Sequence, residues 1–333
     1  MDSLTQIVLG AAVGEVVLGK KVGNKAMLYG AIAGTIPDLD TLASHFVDTV
    51  SALEIHRGFT HSIVFAVVFA PLFGWLISKI EQRSPADRKD WTRLMFWGLL
   101  THPLLDAFTT WGTQLFWPLD LRLDFRAIFV IDPLYTLPFL ILLIMAMRLD
   151  KESDKRRRYT RWGLLISSSY LLLCLGLKGL AHQRFKAALE GQGIEYLQLE
   201  TKPAPFNSIL WTANVEVSDA YLIGDHSIFD SKPITFVRYP KNHALLGDLA
   251  AHDKLRRLIS VARGWYIITQ KNGELFFNDL RFGVLDGRSE NPNFVFSYQI
   301  VEDHGALEIK EVERKPEEGK QLLFDLGDRI MGN

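Results

Sequence analysis

The chain has 333 residues, of which 48% are hydrophobic and 23% are charged, and its formal net charge is −1. Because this charge is close to zero, the composition gives no electrostatic reason to expect a nucleic-acid partner. The single cysteine, Cys174, excludes a disulfide framework and a cysteine-based zinc site within one chain. The long apolar runs lie before about residue 180 and the remainder has the character of a soluble sequence, which indicates two domains.

The first half of the chain alternates apolar segments with basic loops. Segment 60–80 is the clearest membrane span, since crossing a bilayer needs about 20 predominantly apolar residues. Segment 4–19 is shorter, so we expect it either to cross the bilayer or to lie re-entrant among other helices. The second segment is predicted to break at Pro37, because proline has no backbone N–H with which to continue a helix. In chain order the predicted helical segments are 4–19, 26–43, 60–80, 94–110, 128–147 and 162–181.

Lysine and arginine are concentrated in three loops, residues 20–25, 81–93 and 148–161. The positive-inside rule places such short basic loops in the cytoplasm. One topology satisfies all three loops, and it predicts a multi-pass protein of the cytoplasmic (inner) membrane. The same topology gathers the histidines and acids of the first half at or near the outer ends of their segments. These residues are Asp38, Asp40, His56, His61, His102, Asp106 and Asp132.

The second half reads as short strands separated by turns. The Asn-Gly pair within residues 271–274 predicts a type I′ hairpin, while residues 183–191 and 245–261 each predict one helix. The expected fold class is mainly α, with a polytopic helical membrane domain (residues 1–181) followed by a small α+β soluble domain (residues 182–333) outside the cytoplasm. Strands are predicted at residues 196–200, 208–217, 234–239, 265–269, 275–278, 294–301 and 306–311.

Three segments of the first half carry side chains that commonly bind metal ions. His102 and Asp106 stand four residues apart in a predicted helix, so both project from one face. The motif HRGFTHS, residues 56–62, offers two histidines around a glycine, and Asp38 and Asp40 follow the break at the end of the second segment. Nitrogen and oxygen donors of this kind suit zinc, and pairs of metal ions are common in phosphoester hydrolysis. We therefore predict one or two divalent ions, expected to be zinc, with the candidate ligands His56, His61, His102, Asp106, Asp38 and Asp40.

Structural roles are open for several of the same residues. Asp38 and Asp40 could act as helix caps, and histidines at a membrane interface can serve as amphipathic anchors. Arg57 could bind a phosphate or carboxylate group, or could extend its charge to the interface. Asp132 precedes a proline, a pattern typical of a helix start. Glu15, inside the first apolar segment, could be the partner of a buried group.

Five short motifs, taken in order, resemble the membrane-bound metal-dependent hydrolase family, which includes LexA-regulated inner-membrane proteins and YfhP-like proteins. The resemblance covers about residues 1–150. That family is similar in its His/Asp pattern to the superfamily of zinc-dependent phospholipase C and P1 nuclease. One departure is Gln6, where family members often have histidine, so the metal count could be lower or Asp2 could contribute instead. The motifs are Asp2-Ser-Leu-Thr5, Gly10-Ala-Ala-Val-Gly14-Glu15, Pro37-Asp-Leu-Asp40, His56-Arg-Gly-Phe-Thr-His61-Ser62 and His102-Pro-Leu-Leu-Asp106.

The resemblance implies a helical metal site and hydrolase activity, and we predict that the bond cleaved is a phosphoester of a small-molecule or lipid substrate. Asp38, Asp40 and Arg57 are the candidate catalytic residues, with one of the two aspartates bridging the metal or acting as general base. Two alternatives stay open: a metal- or ion-coupled transport or sensing protein, and an apolar half that only anchors the soluble domain. The expected partners are the lipid bilayer and the substrate, with no nucleic acid, and the oligomeric state is left open.

Overall fold

The computed structural model describes residues 1–284, 292–303, 306–312 and 326–332. The chain divides into two compact units, which we call the helical unit and the sheet unit. The predicted domain boundary at residue 181 falls inside one long helix, and the short segment Phe46–Glu54 groups with the sheet unit. The helical unit comprises Met1–His45, Ile55–Gly176 and Pro205–Asn207, and the sheet unit comprises Phe46–Glu54, Leu177–Ala204 and Ser208–Asn333.

The α-helices follow the apolar segments of the sequence, with boundaries set by their caps. Asp132 opens a helix at Pro133, where its carboxylate accepts hydrogen bonds from the N–H groups of Leu134 and Tyr135, so its interpretation as a helix start is confirmed. The α-helices are α1 Ser3–Val22, α2 Asn24–Thr35, α3 Thr49–Ile55, α4 Ile63–Ile80, α5 Arg88–Asp106, α6 Pro133–Met147, α7 Asp154–Gly191 and α8 Asp253–Val261, and the 3-10 helices are Ile36–Phe46, Phe59–His61 and His243–Ala251.

Three of the described helices are long and apolar enough to cross a membrane, namely α1, α4 and α7. The apolar helix α6 is shorter, and the full set of crossings drawn from the basic loops stays a prediction. The separate helices predicted at residues 162–181 and 183–191 are wrong, because α7 runs unbroken through 38 residues. No proline or glycine interrupts the chain between residues 180 and 190, so the helical hydrogen bonds continue.

Glycines bring α1 and α2 into backbone contact. A Cβ atom placed on Gly10 would lie 2.3 Å from the carbonyl oxygen of Gly30, and one on Gly14 would lie 2.1 Å from that of Ala26. Gly34 faces the Gln6 carbonyl in the same way, at 2.5 Å. Small residues four apart on facing helices are a common packing device in membranes. This close approach fixes the position of α2, and with it the start of the 3-10 helix that carries Asp38 and Asp40.

Replacing Gly30 with valine should therefore force α1 and α2 apart. Overpacking a tight core costs about 1–3 kcal/mol, and a clash with backbone oxygen lies at the upper end of that range. We expect a clear fall in the thermal unfolding midpoint of the detergent-purified protein. Gly176→Val is the matched control, because a Cβ at Gly176 would have no other helix or side chain within 4 Å. Equal stability of the two variants would contradict the close helix contact.

The sheet unit contains two four-stranded antiparallel sheets among the described residues. Strands β1 to β4 form one sheet in chain order, and β5 to β8 form the other. Asn272 and Gly273 have φ values of 54° and 85°, which confirms the predicted type I′ hairpin. The strands are β1 Gln198–Pro203, β2 Leu210–Glu216, β3 Ala220–Ser227, β4 Val237–Pro240, β5 Tyr266–Lys271, β6 Glu274–Val284, β7 Phe294–Asp303 and β8 Ala306–Glu311.

The structure differs from three of the predictions for the second half of the chain. The strand β3 was not predicted, although it lies in the middle of the first sheet. The single helix predicted at residues 245–261 is wrong. Gly247 takes a φ of 49°, a conformation open to glycine, and kinks the 3-10 helix His243–Ala251, while the extended His252 separates that helix from α8. The described chain as a whole is mixed α+β, so the class "mainly α" understates the two sheets.

The segment Phe46–Glu54, predicted as part of a polar connection, contains helix α3 except for its last residue and packs inside the sheet unit. Val50 is fully buried there, in a core that includes Leu255 and Leu258. The Arg257 guanidinium donates hydrogen bonds to the Glu54 carboxylate, and the Glu54 carboxylate raises the pKa of Arg257. These contacts place the segment in the core of the sheet unit.

Candidate metal centre

Four side chains of the helical unit converge on one point. Asp38, His61, His102 and Asp106 each offer one ligand atom, and these four atoms all lie within 4.8 Å of one another. Asp38 comes from the 3-10 helix after α2, His61 from the turn before α4, and His102 and Asp106 from one face of α5. The side chains of His61, His102 and Asp106 are fully buried, while that of Asp38 is 21% exposed. The group could hold a metal ion that is reached from the side of Asp38.

The spacing of the ligand atoms matches a tetrahedral ion. His61 Nε2 and His102 Nε2 are 3.1 Å apart, and Asp38 Oδ1 lies 3.3 Å from each of them. Asp106 Oδ2 lies 3.4 Å from His61 Nε2 and 3.5 Å from His102 Nε2. Donors at typical zinc bond lengths around a tetrahedron are about 3.3–3.5 Å from each other. Five of the six donor–donor distances are thus close to the spacing around a zinc-sized ion, and the sixth, between the two carboxylates, is within 4.8 Å.

One oxygen of the group lacks a donor. Within the described part of the chain, Asp106 Oδ2 is buried and accepts no hydrogen bond of good geometry, although Arg57 Nε is 3.3 Å away. A buried carboxylate oxygen without a donor is costly. A cation among the four side chains would satisfy it, which is a second and independent reason to place an ion there.

The outer nitrogens of both histidines are held by neighbouring acceptors. His102 Nδ1 lies 2.6 Å from the Gly34 carbonyl oxygen, and this bond requires the proton on Nδ1 and leaves Nε2 free as a ligand. His61 Nδ1 lies 3.4 Å from Asp40 Oδ2 and 3.0 Å from the Thr60 hydroxyl. These contacts orient each ring so that its Nε2 atom faces the shared point.

The structure places the candidate ligands Asp40 and His56 beside the group of four. Asp40 is buried and accepts hydrogen bonds from the Arg57 backbone N–H at 2.9 Å and from the Thr60 hydroxyl at 3.1 Å. His56 Nδ1 contacts the other Asp40 oxygen at 3.0 Å, and the His56 side chain is 27% exposed. Asp40 thus links His56 to His61 through a carboxylate that is already well supplied with donors.

Arg57 is buried next to the same group. Its φ of 61° is unusual for a residue other than glycine, and the guanidinium reaches Asp106 while donating to the Thr109 hydroxyl at 2.9 Å. A cation held here at the cost of a left-handed backbone is suited to binding an anionic group. The alternative that Arg57 extends its charge to the membrane interface does not describe this buried side chain.

Two groups near the amino end also reach Asp106. Gln6 donates to Asp106 Oδ1 at 3.1 Å, and the Met1 amino group forms an ion pair with the same carboxylate. Neither the Met1 nor the Thr109 contact could be predicted from the sequence, because the first depends on how the chain start meets the end of α5 and the second on how Arg57 meets the residues after α5. Asp2 instead caps α1, accepting from the Thr5 N–H at 3.1 Å.

The helical unit contains helices able to cross a bilayer. It also contains a buried His/Asp group able to hold a metal ion. These two features define an integral membrane protein with a candidate metal centre. The chain belongs to the YdjM inner membrane protein family, whose model matches residues 1–183. It is also similar to the inner membrane protein YbcI of Escherichia coli (strain K12), with 40% identity over 101 residues, which are 30% of this chain and 57% of the relative.

The chain therefore matches somewhat more than half the length of this curated relative. No solved structure matches the chain. The matched family region contains every residue of the candidate metal centre. Both descriptions place such proteins in the inner membrane, as the apolar segments predicted, and neither description names an activity, a cofactor or a substrate.

Proposed function

We propose that the protein is a membrane-bound metal-dependent hydrolase that acts on a phosphoester. The observation that carries the proposal is the convergence of two imidazole nitrogens and two carboxylate oxygens on one point, with a buried arginine beside it. A divalent ion held by these side chains, expected to be zinc, would have to take up water as a fifth ligand, and it would then lower the pKa of that water to about 7.

The side chains around the ion have separate roles in binding the substrate. Arg57 is positioned to bind the phosphoryl oxygens, because a guanidinium matches their geometry and stays charged. Asp38 is the most exposed of the four ligands, so the substrate approaches past it. The Arg57 guanidinium is held by Thr109 and Asp106, which fixes its direction before substrate binds.

The pair His56–Asp40 is suited to proton transfer. Asp40 holds His56 at Nδ1, which leaves Nε2 of this partly exposed ring available to take or give a proton. Asp40 itself already accepts bonds from Arg57 and Thr60, so we assign it the role of orienting both histidines. This assignment refines the expectation that Asp38 or Asp40 is the general base.

Replacing His56 with alanine should therefore separate metal binding from turnover. We expect metal affinity to fall by no more than about 10–100-fold, the usual effect of an outer contact, while kcat falls about 100-fold or more through loss of proton transfer. His61→Ala should lose metal and turnover together. Chelator competition and a phosphoester hydrolysis assay measure the two quantities. Equal metal loss in both variants would instead make His56 a direct ligand.

Apolar side chains near the centre support a membrane-delivered substrate. Leu39 and Leu42 lie on the 3-10 helix that carries Asp38 and are 51% and 58% exposed. Phe59 packs edge-on against Trp117 at 4.9 Å, and both rings are partly exposed. Aromatic rings of this kind are enriched at membrane interfaces. With the charge topology, these residues support a site at the outer face of the membrane that accepts lipid or small phosphoesters.

The hydrolase proposal is tested on the purified full chain, with zinc and with chelator, against phosphomonoesters, phosphodiesters and phospholipids. We expect hydrolysis that disappears with chelator and returns with metal. Hydrolysis that persists in metal-free protein would overturn the proposal. The transport alternative is less well supported, because an ion path needs ionisable groups within the apolar segments, and Glu15, which lies within one, is paired with Arg156. Zinc or proton flux in proteoliposomes that is lost in His61→Ala would favour it.

A further inference from the structure

The helical unit also contains a cavity between α4 and α5, the two helices that are joined by the basic loop. The cavity is open on one side and has a volume of about 560 Å³. Its wall is apolar on the side of α4 and mixed on the side of α5. The lining residues are Val67, Ala70 and Pro71 from α4, and Arg88, Lys89, Thr92, Arg93 and Phe96 from α5.

The packing of the two helices explains the cavity. At Gly74 the backbones are in contact, since a Cβ there would lie 2.3 Å from the Thr92 hydroxyl oxygen and 2.6 Å from Thr92 Cα. About one turn before Gly74 on α4, away from the loop, the side chains are the small Ala70 and the ring of Pro71, which fill less space than larger aliphatic side chains. Thr92 itself lines the cavity, so the apolar residues of α4 lie on one side of this contact along the helix pair, and Arg88 and Lys89 lie on the other side.

The basic residues of the cavity are available to a ligand. Arg88 and Lys89 are exposed, and neither forms an ion pair with a described residue. Arg93 donates to the Val17 carbonyl oxygen at 3.3 Å and lies 3.9 Å from Asp90. The nearby acids are already engaged.

Asp90 is paired with Lys21 at 2.5 Å, and Asp87 forms a reciprocal helix cap with Asp90. Since Lys21 balances Asp90, the cavity carries a surplus of positive charge beside an apolar wall. Basic pockets between membrane helices are typical binding sites for anionic lipid headgroups.

We propose that this cavity binds one anionic phospholipid, with its phosphate against Arg88, Lys89 and Arg93 and an acyl chain along Val67 and Pro71. The apolar wall belongs to α4, one of the helices able to cross the bilayer, so a lipid reaches it from the membrane. Inorganic phosphate has no apolar part that could contact this wall, so the wall favours a lipid over free phosphate. The site is distinct from the metal centre: Thr92 and His102 are ten residues apart on α5, about 15 Å along the helix. The proposal does not depend on hydrolase activity.

The test is a lipid titration of the detergent-purified full chain, followed by native mass spectrometry or by fluorescence of labelled lipid. Phosphatidylglycerol is compared with zwitterionic phosphatidylethanolamine, and inorganic phosphate is added as a competitor. Three variants are needed. Arg88→Gln with Lys89→Gln removes two charges at exposed positions, and Val67→Trp fills the cavity but keeps the charges. Lys79→Gln with Arg83→Gln removes two charges from the same end of the helical pair without touching the cavity lining.

We expect phosphatidylglycerol to bind with defined stoichiometry and more tightly than phosphatidylethanolamine. Binding should weaken about tenfold or more in Arg88→Gln with Lys89→Gln, since each basic residue contributes on the order of 1 kcal/mol to anionic lipid binding. Val67→Trp should weaken it similarly, with a normal unfolding midpoint showing that the fold is intact. Lys79→Gln with Arg83→Gln should bind as the natural chain does. Equal binding of both lipids, equal loss in the control variant, or displacement by inorganic phosphate alone would overturn the proposal.

Discussion

Replacing His102 with alanine is expected to remove both metal and hydrolysis from the protein. His102 contributes one of the four converging atoms, and its ring is held by the Gly34 carbonyl. Loss of an outer contact alone costs about 10–100-fold in metal affinity, so loss of a direct ligand should exceed about a hundredfold. Metal content after dialysis and turnover of a phosphoester measure the two effects.

Two further variants make this result specific. Asp38→Asn keeps the size of a partly exposed ligand but removes its charge, so it should reproduce the loss with an intact fold. His45→Ala lies on the same 3-10 helix, where His45 contacts the Ser44 hydroxyl and is outside the group of four, and it should behave as the natural chain. Normal metal content in both His102→Ala and Asp38→Asn would contradict the assignment of the four ligands.

Removal of Glu15 or Arg156 is expected to cause the largest loss of stability. Arg156 donates from Nε and Nη2 to the two Glu15 oxygens at 2.7 and 2.6 Å, and the two side chains are 2% and 3% exposed. Removing one partner of a buried pair leaves the other charge unpaired, which costs about 3–5 kcal/mol. We therefore expect Glu15→Ala and Arg156→Ala each to lower the thermal unfolding midpoint strongly in detergent.

A double-mutant cycle separates this pair from simple loss of volume. The cycle uses Glu15→Met and Arg156→Met singly and combined; the combined variant removes both charges, so it should be more stable than either single methionine variant. Arg157→Ala is the matched control, because Arg157 pairs at the surface with Asp154, whose side chain is 85% exposed, and surface pairs contribute about 0–1 kcal/mol. Strictly additive effects of the two single substitutions would show that the pair does not couple α1 to α7.

The sequence predicted the elements of the metal centre better than its internal arrangement. The positive-inside rule, applied to the three basic loops, predicted that Asp38, His61, His102 and Asp106 lie on the same side of the membrane. The structure brings these four residues together. The ordering of Asp40 and His56 around them could not be predicted. It depends on the 3-10 geometry after Pro37 and on the positive φ of Arg57, neither of which leaves a periodic signal.

In the sheet unit, the local sequence was enough to predict one hairpin but not enough to predict helix α3 or the kink at Gly247. The Asn272-Gly273 hairpin was predicted because both residues tolerate positive φ. Helix α3 was not predicted, because seven residues are too few for a clear period and its stability comes from the burial of Val50 among distant residues. The break at Gly247 was missed for a related reason, since glycine within an apolar helical pattern is often tolerated.

The most direct test of the metal centre is anomalous diffraction at the zinc absorption edge, from crystals of the full chain purified without chelator. We predict one strong peak bounded by His61 Nε2, His102 Nε2 and the carboxylates of Asp38 and Asp106, at ordinary zinc bond lengths of about 2.0–2.2 Å. A second, weaker peak near Asp38 would indicate a two-metal site. A protein that binds zinc fully but shows its peak away from these four side chains would contradict the assignment.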